Sequence, residues 1–364
     1  MKKQIKNPCF GLAVFVSALF LGDFCIGRSA NEIAYYNMPA LSDTLRQEQS
    51  GKSEQGIELC YGTKIIFASV EDAQKILTLK DQYIVSLTPF DRRVRLNSRE
   101  PVSEQEFLSF LREQALSWSQ YEKTRIQVMI NNLAYRLKEY DLNLPSEIVL
   151  IKTTGKEDGG AAYTRDNAII LPQNILNSPG GNLERLIIHE LFHIFTRNNL
   201  KTREALYAVI NFKKSEKVEL PRKLLDIELT NPDVPAQRYC VEVEKQGESI
   251  KVIPMITLPN FDASESRPFF SYLRLELVEV VRDDYEFSYV RNENDEPVVF
   301  SAQELPDYFK KIGENTGYVI HPEEILADNF AMMVMGQESV KSKWVIDEMR
   351  ILLANKSPRG VGVN

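Results

Sequence analysis

His189-Glu190-Leu191-Phe192-His193 constrains this chain more than any other segment. It is an H-E-x-x-H motif. On a helix, two histidines four residues apart lie on one face. Both imidazoles can then reach one metal ion, and the glutamate between them can reach a water that the ion polarises. The flanking residues support a helix. Leu183, Leu186, Ile187, Leu191, Ile194 and Phe195 make the segment apolar on most sides, as in a buried helix. Two imidazoles and a carboxylate are costly to bury unless each is paired, and a cation satisfies all three. The bland alternative is an incidental surface pair of His and Glu, which the apolar surround disfavours.

The chain has only three histidines, and the third is His321. A catalytic ion held by two histidines needs a third protein ligand and an open position. The motif helix offers no further histidine. Glu324, in His321-Pro-Glu-Glu-Ile-Leu-Ala-Asp328, is the expected ligand, with Glu323 and His321 as alternatives. Glu324 and Asp328 share a helix face, a like-charge spacing that is mildly destabilising by itself. The spacing makes sense if Glu324 binds the cation and Asp328 accepts an N–H from a ligating histidine. The competing account is helix-start chemistry, since Pro322 suits a first helical position and acidic residues suit a first turn. Zn2+ is the expected ion, with Glu190 as the general base that takes a proton from water and passes it to the leaving amine.

The pair His189-Glu190-x-x-His193 and Glu324-x-x-x-Asp328 resembles the gluzincin metallopeptidases, the thermolysin-like branch of the zincins. The resemblance covers the two motif helices and the hairpin before them. It implies that His189, His193 and Glu324 bind zinc, that Glu190 is the base and that Asp328 orients His189. It also implies an α+β, zincin-like fold, with a mixed sheet packed on the active-site helix. Zincins place an edge strand beside the zinc, where an extended peptide pairs with it. Gly160-Ala-Ala-Tyr163 has the small residues such an approach needs, and an ordinary small-residue strand packed on a helix is the alternative. The Gly-x-Met-Glu-Asn segment of gluzincin aminopeptidases is absent, which favours an endopeptidase. His321, Tyr163 and Tyr318 are candidate donors to the oxyanion, each with a purely structural alternative. The long gap between the two motifs departs from the family and holds a β-rich insertion.

The ends and the composition bound the rest. Lys2, Lys3 and Lys6, an apolar run from about Phe10 to Leu21 and small residues before Ala30 read as a signal peptide over 1–29. The run is short for a bilayer span, so contact with a membrane is expected only if this signal stays uncleaved. The formal charge is -7, and loss of 1–29 removes three net positive charges, leaving -10. An acidic chain without a basic cluster argues against nucleic acid. The expectation is a secreted or periplasmic enzyme acting on a peptide or protein substrate. Its alternatives are a non-catalytic binding module on a zincin scaffold and a secreted toxin protease with one host target. Export leaves Cys60 and Cys240 beyond the signal, two thiols that can pair.

Along the chain, residues 30–56 read as a polar, flexible lead-in, and 57–364 as the catalytic domain, with 200–316 inserted. Ser69 with Asp72 predicts a helix start, Tyr83–Leu87 a strand, and Thr88–Asp91 a turn into a solvated strand edge carrying Arg92, Arg93 and Arg95. Apolar spacing over 103–140 predicts two helices or one broken one, and 147–151 a strand. Residues 159–171 predict a hairpin, and the motif helix is expected from Asn182 to Arg197 with Asn182 as its cap. Tyr239–Val243, Ser249–Ile256, Leu273–Val281, Phe287–Val290 and Val298–Phe300 predict strands, the last two paired with each other. Helices from Pro322 to Met335 and from Trp344 to Leu353 close the chain.

Overall fold

The protein is described by a computed structural model covering residues 56–354, apart from 216–217, 236–237, 266 and 283–285. The predicted signal and most of the lead-in lie outside the described residues. Two sheets and a set of helices share one main core.

The first half builds a mixed sheet. Strands β1 (Ile57–Cys60) and β2 (Thr63–Phe67) form a hairpin, and helices α1 (Val70–Leu77), α2 (Gln82–Ser86), α3 (Pro89–Arg95) and α4 (Glu104–Gln114) follow. Then come β3 (Ala115–Leu116), α5 (Gln120–Leu137), β4 (Glu147–Thr153), β5 (Tyr163–Arg165) and β6 (Ala168–Pro172). The order across the sheet is β1-β2-β4-β6-β5, with β3 added to β4. β2, β4 and β6 run parallel, and β5 pairs antiparallel with β6 as the edge strand. Strand alternation sorts the two faces. Ile148, Leu150, Ile169 and Leu171 join the main core, while Ile151, Ala168 and Ile170 join a second cluster with Leu77, Phe107 and Leu111.

Helices α6 (Gln173–Leu176), α7 (Gly180–Asn198) and α8 (Leu200–Val209) lead into the second sheet. That sheet contains β7 (Phe212–Lys214), β8 (Val218–Glu219), β9 (Tyr239–Lys245), β10 (Glu248–Thr257), β11 (Arg274–Arg282), β12 (Phe287–Tyr289) and β13 (Val299–Ser301), with α9 (Arg222–Leu225) between β8 and β9. Its order is β7-β9-β10-β11-β12-β8, with β13 also on β11. Helices α10 (Pro306–Ile312), α11 (Pro322–Val334) and α12 (Lys343–Leu353) complete the chain. Val241, Val252 and Leu277 of this sheet pack into the same core as α7 and α11. Residues 200–316 therefore add a β-rich layer to a common core. The fold is α+β with mixed sheets, as expected. Among the described residues no helix is long and apolar enough to cross a membrane.

Several local expectations are corrected. Tyr83–Leu87 is not a strand: Asp81 accepts the Ile84 N–H and starts α2. The Thr88–Asp91 turn is a full capping box with Pro89 at the first position, and it starts α3. The arginine-rich stretch is that helix, not a solvated edge. Asp91 and Arg95 are both buried, 3.6 Å apart, and Arg95 also reaches Asp158 at 3.3 Å. β12 and β13 each pair with β11, and the two segments meet beyond the strands themselves, through the bond from Val298 N–H to Val290 O, the antiparallel bridge Arg291–Pro297 and the bond from Asn292 N–H to Glu296 O. Cys60 and Cys240 are both free and buried, one in each sheet and in separate apolar clusters, so the expected disulfide is not formed.

Candidate metal centre

The motif helix α7 starts at Gly180, earlier than Asn182, and Pro179 precedes it without a side-chain cap. It ends on two asparagines. The Asn198 and Asn199 amides donate to the carbonyls of Ile194 and Phe195, groups that a helix end otherwise leaves unpaired. His189, Glu190 and His193 are all buried. Against them packs α11, whose described residues are buried from Pro322 to Val334, with Phe330 5.4 Å from Phe192 between ring centroids.

His321 caps α11. Its Nδ1 accepts the Glu323 N–H at 3.1 Å, and Pro322 fills the first position. This start aims the Glu324 carboxylate at the motif. Its Oε2 lies 3.1 Å from His189 Nε2 and 3.6 Å from His193 Nε2. The far nitrogens are also engaged, His189 Nδ1 with Asp328 Oδ1 at 3.2 Å and His193 Nδ1 with Glu323 Oε1 at 3.0 Å. Each Nδ1 can donate its hydrogen to the carboxylate behind it, which would leave each Nε2 free to face a cation beside Glu324 Oε2. His193 Nε2 is buried and finds no hydrogen-bond partner. His189, His193 and Glu324 offer ligand atoms all within 4.8 Å of one another. The donor set fits a divalent ion, and the residues present could hold one.

The outer contacts are as ordered as the inner ones. Asn231 Nδ2 donates to Glu324 Oε1 at 2.6 Å, which leaves Oε2 for the imidazoles. Glu323 takes the hydroxyls of Tyr207 and Thr196. Asp328 takes Thr316 Oγ1 and stands 3.4 Å from Arg185. Burial would raise the Asp328 pKa, but the bond to and charge of His189, the charge of Arg185 and the Thr316 bond together outweigh it and hold it down at about 2. Burial opposes charging of His193, yet Asp233, Glu324 and the bond to Glu323 outweigh it and push its pKa up to about 9. Burial, then the charge of Asp233, push Glu190 up to about 8. Such a surplus of carboxylates around two imidazoles is what a bound cation would balance.

The structure thus brings together His189, Glu190, His193, Glu324 and Asp328, all singled out from sequence. Glu323, the alternative ligand, instead holds the far side of His193. His321 is a cap, buried beside the rings of Tyr207 and Tyr239 at centroid distances of 6.0 and 5.6 Å. Burial drives its pKa down to about 3, so it is neutral, and its Nε2 has no partner. It also lines a cavity of about 560 Å³ with Asn231, Phe90, Val234 and Ile256. Tyr163 is not brought to the motif. Strand alternation turns it to the far face of the sheet, in the cluster with Leu77 and Tyr83. Tyr318 is the tyrosine at the centre, stacked on His189 with 6.3 Å between centroids.

Sequence reasoning missed Asn231, Asp233, Tyr207 and Thr196. Thr196 had a signal, since it lies one helical turn beyond His193. Asn231 and Asp233 sit in a loop without periodicity, so no pattern could have placed them. Comparison with protein-family models, curated proteins and solved structures finds no match for this chain.

Proposed function

We propose that the protein is a zinc-dependent metallopeptidase of zincin type, exported and acting as an endopeptidase. The observation that carries this reading is the convergence of His189 Nε2 and His193 Nε2 on Glu324 Oε2, with the Glu190 carboxylate beside them. Two imidazoles and one carboxylate are a zinc donor set that leaves a position open. Bound zinc would supply Lewis acidity and bring the pKa of a water down to ~7.

The chain's own residues would do the rest. Glu190, with one buried carboxylate oxygen lacking a partner, accepts the proton of the attacking water and returns it to the leaving amine. Asp328 and Glu323 fix the tautomers and orientations of the two histidines. Asn231 holds Glu324 Oε1 in a hydrogen bond, so Oε2 would be the oxygen that holds the ion. Tyr318, beside His189, is the side chain suited to donate to a developing oxyanion. β5 is the edge strand next to α7, and its Thr164 N–H, held by Asp233, is the backbone group an extended peptide would pair with once it is freed.

The test is metal content together with hydrolysis of a denatured protein. Purified protein should hold about one zinc per chain, following from one such donor set. Chelation should abolish cleavage, and added zinc should restore it. Folded, metal-free protein that refuses micromolar zinc would overturn the reading.

A further inference from the structure

The segment from Thr230 to Val234, between α9 and β9, crosses the open side of the motif. Its start is tied down. Thr230 N–H and Oγ1 bond to the Asp91 carboxylate at 2.8 and 3.1 Å, and Arg95 Nη2 donates to Thr230 O at 2.7 Å. Asn231 then reaches Glu324 with its amide and accepts the Asp233 N–H at 2.9 Å with its own oxygen. Asp233 Oδ1 accepts both the backbone N–H and the hydroxyl of Thr164, at 2.8 and 2.6 Å. Arg197, in the last turn of α7, donates to Asp233 O, Thr164 Oγ1 and Asp166 O.

Two features of this strap bear on the centre. A carboxylate oxygen of Asp233 lies within 4.8 Å of both a ring nitrogen of His193 and a carboxylate oxygen of Glu190. The Thr164 N–H that Asp233 occupies belongs to the edge strand, on the side not paired with β6. One aspartate therefore stands on the Glu190 side of His193, close enough to approach an ion held there, and also takes a backbone group that an incoming peptide would use.

We propose that Asp233 is a fourth, displaceable protein ligand of the ion held by His189, His193 and Glu324. The proposal rests on the metal centre described above. The four ligand groups themselves, two carboxylates and two neutral imidazoles, would balance a divalent charge. A site with four protein ligands has no position for water. Opening is a ligand exchange with no redox change: the Asp233 carboxylate leaves, and a water or a substrate carbonyl takes its place. The same movement frees Thr164 N–H. The strap is thus an internal occupant of the substrate groove, and the chain as described is a resting form.

The test uses full-length protein loaded with Co2+, whose visible spectrum reports coordination, and acetohydroxamate as the probe. Asp233→Asn keeps the volume and an oxygen for Thr164 but removes the anionic ligand. The expected result is a changed cobalt spectrum and acetohydroxamate binding at least ~10-fold tighter than in the parent, as removal of a competing protein ligand predicts. Asp233→Ala should show the same change. Identical spectra and equal hydroxamate affinity in the parent and both variants would overturn the proposal. His193→Ala separates the two layers of the argument. If it takes up cobalt with the parent's affinity and spectrum, the metal centre itself is wrong and the fourth ligand falls with it.

Discussion

Glu323 Oε1 lies 3.0 Å from His193 Nδ1, while the next residue, Glu324, faces Nε2 of the same ring at 3.6 Å. Two adjacent glutamates on the first turn of α11 thus embrace one imidazole from opposite sides. Their roles are separated by which nitrogen each meets. Glu324 shares its oxygen with His189, whereas Glu323 is saturated by His193, Thr196 and Tyr207.

That division predicts different losses. Glu324→Ala should abolish stoichiometric zinc binding. Glu323→Gln should keep the site but weaken zinc by ~10–100-fold, the usual cost of losing a partner behind a ligand. Competition with a chelating dye measures both. Equal losses in the two variants would show that the ligand set is misassigned.

The buried Arg95 gives a second prediction. It contacts Asp91 and Asp158 and donates to the Tyr83 hydroxyl, so it links α3, the turn before β5 and the start of the strap. Arg95→Met would leave two buried carboxylates without their cation. Removing one partner of a buried ion pair costs about 3–5 kcal/mol. Urea unfolding of the variant should show a loss of that order. A change below ~1 kcal/mol, the scale of a surface pair, would mean that the network is solvated.

Much of this site was legible before the fold, and the reason is periodicity. The spacing of His189, Glu190 and His193 is a helix-face spacing, and so is that of Glu324 and Asp328. A helix of either sequence must present those groups together. Sequence did not say that Glu323 would turn toward His193, because adjacent helical positions point about 100° apart and only packing decides which meets the ring. It misread Tyr83–Leu87, a short run with Ile84 and Val85 at its centre, because Asp81 capping outweighed β-branching. It placed Tyr163 at the edge strand correctly but could not tell its face, since one residue of register inverts every side chain. Asn231 and Asp233 reach the centre through a loop whose path follows from Asp91 and Arg95, more than 130 residues earlier.

Glu157 should make the fold sensitive to alkali. It is buried and neither carboxylate oxygen finds a well-formed hydrogen bond, so burial lifts its pKa from 4.5 to about 7. A carboxyl group raised in the folded state favours folding while it is protonated. Its contribution is complete below 4.5 and is lost as pH rises through about 7. A shift of this size corresponds to roughly 3 kcal/mol. Glu157→Gln should therefore match the parent at pH 4.5 and gain stability over it from pH 5 to 8, with Asp158 present in both. Parallel urea midpoints across that range would rule this out.

The most discriminating variant is Glu190→Gln. Glu190 is placed beside the two imidazoles but is not among the three groups that converge, and one of its oxygens is buried without a partner. The amide is nearly isosteric and uncharged, so the fold and the zinc should survive. It cannot accept a proton from water, so the rate should fall by at least ~10²-fold, the lower end for general-base catalysis. His193→Ala should lose zinc and activity together, because it removes a ligand. Metal analysis and peptide cleavage on the same two samples therefore separate the chemistry from the binding. A Glu190→Gln protein that cleaves at the parent rate would show that the motif is a metal-holding element only, and a binding role for the chain would replace the catalytic one.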